Sequence, residues 1–196
     1  MQKIDAHSHV GYFGGWADVG YTDEQMVAEM DRYGIEKSVV SYMDNTVVEQ
    51  AVKRFPDRFV GITWANPYEG DKAVETVVRE VREHGFQGIK LHPLLNAFTA
   101  NDAVVHPLME VAQQMDLPVF IHSGHPPFSL PHSIIQLAED FPKVRIVMVH
   151  MGHGNGSIFR PPLIFPRNTT MCTSKHRVCP CTPKSARPTI RSVANG

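Results

Sequence analysis

Residues 1–156 predict an α/β fold of parallel strands, and three observations carry that expectation. Six short runs rich in Val, Ile and Phe recur along the chain, helix-like segments separate them, and seven of the eleven histidines fall at the ends of four of the runs. Strand–helix–strand repetition implies parallel pairing with right-handed crossovers, since an antiparallel neighbour needs only a tight turn.

Strands are expected at 3–10, 37–43, 59–66, 88–93, 118–124 and 145–152. Between the first two, Thr22 with Gln25 has the capping-box pattern and opens a helix that stops at Gly34. A second helix covers 71–84, with apolar positions at Ala73, Val74, Val77, Val78 and Val81 ahead of Gly85. Two more end at Phe55 and Phe141, where Pro56 and Pro142 forbid continuation.

A length of 196 residues, 42% hydrophobic and 20% charged, suits a sizeable core or part of a larger domain. No apolar run approaches the span of a bilayer, and the first residues lack the basic-then-apolar order of a secretion signal, so a cytoplasmic location is the default expectation. With a net charge of −1 there is no field to gather nucleic acid or an anionic membrane, and the expected partner is a small molecule.

That average hides a break. Residues 1–156 hold 12 basic against 20 acidic side chains, whereas 157–196 hold 7 basic and none acidic. Cys172, Cys179 and Cys181 and six of the fifteen prolines also lie in the second part. It has neither the helical nor the strand period, so the chain divides into a folded part, 1–156, and an irregular, unstructured basic tail, 157–196. Cys179 and Cys181, without a second pair, are a weak zinc or redox signal.

The folded part suits either an open doubly wound sheet or a (β/α)8 barrel. Gly11, Gly14 and Gly15 follow the first strand without the GxGxxG spacing or an immediate helix, which disfavours a dinucleotide-binding sheet. Barrels carry their catalytic groups at the C-terminal strand ends, where His7, His9, His92, His122, His125, His150 and His153 are expected. His7 and His9, two apart on a strand, face one way, and two neutral imidazoles beside Asp5 begin a divalent-metal site. Lys90 and His92 share the inward face of the fourth strand. Asp5 is expected to orient a ligand or to be simply a strand-end residue, Trp64 and Asn66 to line the pocket with the core as the alternative for Trp64, and His125 and His153 to rim it. His84, His106 and His132 read as surface or capping residues.

The ordered motifs DAHSH (5–9), GIKLHP (88–93), PVFIH (118–122) and VMVHMGH (147–153) resemble successive strand ends of the amidohydrolase-related family. This is a metal-dependent TIM-barrel group that includes the aminocarboxymuconate-semialdehyde decarboxylase-like enzymes. The resemblance implies an incomplete (β/α)8 TIM barrel of six βα units followed by the irregular tail. It implies one divalent ion, zinc, held by His7, His9 and His122, with His150 as the catalytic group at the activated water or substrate. Lys90 and His92 become substrate-binding residues, Lys90 anchoring a carboxylate in preference to bridging two metals. The implied reaction is hydrolysis of an amide, ester or lactone of a small molecule, or decarboxylation of a small acid.

Two other readings stay open. A TatD-like nuclease shares the opening HxH but wants a glutamate where this chain has Lys90, and an inactive remnant would keep the histidines without turnover. The resemblance also implies an eighth-strand aspartate, while the last acidic residue here is Asp140. Reading the codons of Met171 to Asn195 from their third base permits VYLETSG followed by a helix-like run, so truncation with out-of-frame translation from about Ser157 is expected. Open edges on the first and sixth strands would then favour homo-oligomers or aggregation.

Overall fold

The elements begin and end where local chemistry requires. In the computed structural model, which describes residues 3–14, 18–150 and 169–172, strand β1 (Ile4–His9) leads into a hairpin of β2 (Gly11–Phe13) and β3 (Val19–Tyr21), then helix α1 (Asp23–Tyr33). The Thr22 side chain accepts from the Gln25 N–H at 3.2 Å and the Gln25 side chain accepts from the Thr22 N–H at 3.0 Å, closing the expected capping box. Gly34 ends α1 in the left-handed conformation, which costs a residue without Cβ little. Strand β4 (Lys37–Ser41) and helix α2 (Asn45–Arg54) follow, then β5 (Phe59–Gly61), β6 (Thr63–Trp64) and α3 (Asp71–His84). Next come β7 (Ile89–Leu91), the short α4 (Pro93–Asn96), α5 (His106–Gln114), β8 (Val119–His122), α6 (Pro131–Asp140), β9 (Ile146–Val149) and β10 (Thr169–Cys172).

All six expected strands form, the third split into β5 and β6 at Ile62, whose N–H still bonds the Val40 carbonyl at 3.0 Å. The parallel order is β1-β4-β5 and β6-β7-β8-β9-β10. Spatial order thus follows sequence order without reversal. A doubly wound sheet reverses at its switch point, so this is the winding of a TIM-type barrel. Within the segment expected to be irregular, Thr169–Cys172 pairs in parallel with β9; the rest of 157–196 lies outside the described residues. The β2–β3 hairpin was not legible in the sequence, because three-residue strands leave too few alternations to read.

Residue parity divides each strand. Val40, Ile89, Leu91, Val119, Ile121, Ile146 and Met148 are fully buried in the clusters that also hold α2, α3, α5 and α6 side chains such as Val48, Val77, Leu108, Met109, Ile134 and Leu137. The opposite parity carries Val39, Ile62, Phe120, Val147 and Val149, which pack together as a small inner cluster. Continuing that inner parity toward the strand C-termini gives His7, His9, Ser41, Trp64, Lys90 and His122. Among the described residues no helix is long and apolar enough to cross a membrane.

Candidate active site

Register brings the polar inner residues together. His9 stands beside Ser41, Trp64 beside Lys90, and His122 beside Val149, which precedes His150. The rings form a connected set: His9 to His7 at 4.7 Å between centroids, His7 to His150 at 5.7 Å, and His150 to His122 at 4.8 Å. A parallel stack crosses it, Trp64 on His92 at 5.4 Å, His92 on His122 at 3.9 Å and His122 on His125 at 4.9 Å.

The first-strand pair is held by backbone. A bulge interrupts the β1–β4 register between Asp5 and Ser8, and there the Asp5 carboxylate accepts from the His7 backbone N–H at 3.2 Å and from the Ser38 hydroxyl at 3.3 Å. Asp5 therefore holds His7 through its backbone and not through its ring. Burial raises its pKa, and those hydrogen bonds partly offset the rise. His9 Nδ1 lies 3.0 Å from the Ser41 carbonyl and 3.2 Å from its hydroxyl. Facing a carbonyl, Nδ1 carries the proton and Nε2 keeps its lone pair. Both ring nitrogens of His7 are buried without a hydrogen-bond partner among the described residues. A buried polar atom left unpaired costs about 1–3 kcal/mol, a cost that a bound cation offsets.

On the other side, His122 Nε2 lies 2.8 Å from His125 Nδ1. His92 Nδ1 accepts from the Leu95 N–H at 3.3 Å and so caps α4. Its ring shares the stack, but its Nδ1 is committed to the helix. Among the described residues no three His, Cys, Asp or Glu side chains form a ready metal-holding group. The ring of His150 links the His7–His9 pair to His122, while the donor edge of His122 is turned toward His125.

Burial depresses the imidazoles of His7, His9, His92 and His122. His7 falls well below the usual histidine range, first through burial and then through the positive charge of Lys90. His9 is lowered to about 4 by burial and Lys90, against the Ser41 carbonyl, and His92 to about 3 by burial and Lys90. His122 is pushed strongly down by burial, then His92 and Lys90. All are neutral at pH 7, the form that binds a metal. Lys90 is 0% exposed at the centre of this field.

His150 adopts φ +70°, a left-handed conformation uncommon outside glycine and concentrated at functional sites. Asn66 caps the turn at Tyr68 through its side-chain oxygen, 3.2 Å from that N–H, so it shapes the loop after the third strand. Trp64 does reach the site, anchored by Asn45, which donates to its carbonyl at 3.1 Å and accepts from its N–H at 2.8 Å. His153 lies outside the described residues. Sequence reasoning missed Ser41, Asn45, and Phe13, whose ring meets His9 at 5.1 Å and Tyr42 at 5.0 Å. Ser41 alone had a signal, the end of the second strand. A cavity of about 410 Å³ lies between the hairpin and helices α1 and α2, and none of the histidines lines it.

This architecture recurs in solved structures. A 5-carboxyvanillate decarboxylase from Sphingomonas paucimobilis matches with a TM-score of 0.67 and 17% identity over 87% of this chain and 80% of that one. A TIM-barrel protein from Bordetella bronchiseptica matches at 0.63 and 20%, over 87% and 74%. A 5-carboxyvanillate decarboxylase from Novosphingobium aromaticivorans, with bound manganese and 3-methoxy-4-hydroxy-5-nitrobenzoic acid, matches at 0.62 and 17%, over 77% and 66%. At such identities these likenesses show the fold. A family model described as amidohydrolase matches residues 4–189, nearly the whole sequence. The chain belongs to the amidohydrolase family.

Proposed function

We propose that the chain is a metal-dependent enzyme that hydrolyses an amide, ester or lactone of a small carboxylate-bearing molecule, or decarboxylates such an acid. One observation carries the reading: neutral imidazoles from β1 and β8, with His150 between them, surround a fully buried lysine. His7, His9 and His122 would hold one divalent ion, and the unpartnered nitrogens of His7 support that fit. Zinc suits three imidazoles, and manganese is bound in one of the decarboxylases of similar fold. When bound, the ion supplies Lewis acidity at a carbonyl or carboxylate oxygen.

The chain's own residues do the rest. Ser41 fixes the His9 tautomer through its carbonyl. Lys90 offers a cation in a water-poor site, where attraction for a substrate carboxylate is stronger than in bulk water. His92, stacked between Trp64 and His122, has only its ring edge to offer the bound molecule. His150, against both His7 and His122, holds or moves the proton at the reacting oxygen.

A nuclease of the TatD kind wants a carboxylate at the position of Lys90, so that reading loses its footing. Elemental analysis and a screen of small carboxylic acids, lactones and amides test the proposal. Stoichiometric metal with turnover that vanishes in His122→Ala supports it; CO2 release separates decarboxylation from hydrolysis. Tight metal binding with no turnover on any of these classes would favour the inactive remnant.

A further inference from the structure

We propose that Phe13 is a specificity-determining wall of the site and that Tyr42 is the positioning residue that holds it there; the substrate half of this inference rests on the carboxylate reading above. The Phe13 ring meets the His9 ring edge-on, 5.1 Å between centroids and 73° between planes. The positive charge of Lys90 is felt at His9, so a carboxylate drawn to Lys90 brings the rest of its molecule toward the ring that stands beside His9. Phe13 then sets how large an apolar body the site accepts.

Among the described residues, little but Tyr42 secures that ring. Strands β2 and β3 are three residues each, and Tyr12, Val19 and Tyr21 are all more than half exposed. A two-stranded hairpin alone is marginal in water. The cavity of about 410 Å³ separates this one from α1 and α2, so those helices do not press it onto the site. Tyr42 touches it three times. Its hydroxyl donates to the Tyr12 carbonyl at 2.5 Å, and its ring meets Phe13 at 5.0 Å and 80°. The same ring lies against Gly11, where a Cβ would stand 3.0 Å from three of its carbons and where φ is +114°. Tyr42 is itself anchored, packed against the buried cluster of Val10, Val40 and Val48. Two consecutive residues at the end of β4 thus serve His9: Ser41 directly, through its carbonyl, and Tyr42 through Phe13.

NMR of the full-length chain carrying 13C-labelled histidine tests both halves, with the His9 signal assigned by its loss in His9→Asn. An aromatic ring at this distance shifts that signal, and Phe13→Leu removes the shift. Tyr42→Leu is expected to move the His9 signal as far as Phe13→Leu does, and the two substitutions combined no further than Phe13→Leu alone, as for residues acting in series. Tyr42→Phe keeps the ring on Gly11 and Phe13 and moves the signal less, while His106 and His132, on α5 and α6, stay in place, which a general loss of packing would not allow. Titration with acetate, butanoate and hexanoate reads the wall. Phe13→Ala and Tyr42→Leu each favour hexanoate over acetate by about 5-fold more than the unaltered chain does, near the worth of one buried methylene. A His9 signal unmoved by Tyr42→Leu overturns the positioning role, and an unchanged ratio of hexanoate to acetate binding overturns the wall. If the unaltered chain binds no carboxylate while the His9 signal responds as expected, the carboxylate reading and the wall both fall and the positioning by Tyr42 stands.

Discussion

The two sides of the site are held by different means. At β1 and β4 the imidazoles are fixed by backbone: Asp5 ties the His7 main chain, and the Ser41 carbonyl faces His9 Nδ1. At β7 and β8 they are held by one another, in a stack from Trp64 through His92 and His122 to His125. The Ser41 carbonyl leaves His9 one orientation and one tautomer. Ring-on-ring supports leave it freedom to exchange a hydrogen bond for a cation. The first side is preorganised, and the second adjusts.

The largest effect expected follows from that division. His7→Ala removes a donor nothing else replaces, and metal affinity falls by more than the roughly 10–100-fold typical of losing an outer partner. His92→Ala removes a stacking neighbour whose Nδ1 is already bonded to the Leu95 N–H, and metal content stays stoichiometric. Elemental analysis of both purified variants checks this. Equal metal loss in the two would erase the distinction between the sides.

Lys90 sits between them and depresses His7, His9, His92 and His122 alike. Taking a charge out of water costs several kcal/mol per ion, a cost that an apolar side chain of similar length does not carry. Lys90→Met is therefore expected to melt no lower in urea while turnover of acid substrates is lost. A large loss of stability would mean that the lysine holds the two sides together and does not serve the substrate.

The pH dependence has a definite sign. The folded chain keeps His9 and His92 neutral, with pKa values near 4 and 3, while the unfolded chain takes up protons near the ordinary 6.5. Below about 6.5 the unfolded state binds more protons, so stability of the metal-free chain falls progressively as pH drops toward 4. Urea midpoints across that range measure it. His92→Phe keeps the stack and removes one titrating group, so its curve is shallower; an unchanged slope would mean that His92 takes no part in the acid loss of stability.

Much of this was legible beforehand because it depends on period and capping. The histidines at 7, 9, 122 and 150 fall where two-residue alternation and strand ends put them, and Thr22, Gly34 and Gly85 bound their helices as their chemistry dictates. What escaped depends on register between strands. That Ser41 stands opposite His9, or that Asn45 clasps Trp64 across 19 residues, follows from pairing distant in sequence. The cap that Asn66 gives Tyr68 was not foreseen, because a strand-end asparagine serves a turn cap as readily as a pocket wall. His125 was read as rim since nothing in HSGH reveals a loop closed by Ser129.

The smallest effect expected sharpens the comparison most. Ser41→Ala deletes a hydroxyl 3.2 Å from His9 Nδ1 but leaves the carbonyl at 3.0 Å, so the ring keeps its orientation and metal affinity shifts by no more than a few-fold. Ser129→Ala deletes the hydroxyl that accepts from the His125 N–H, and the loop on the adjusting side loses one of its ties. Chelator competition on the two variants should rank Ser129→Ala as the more damaging, although neither serine touches the ion. The reverse ranking would mean that the Ser41 hydroxyl, and not its backbone, fixes His9, and that the β1 side is held by side chains after all.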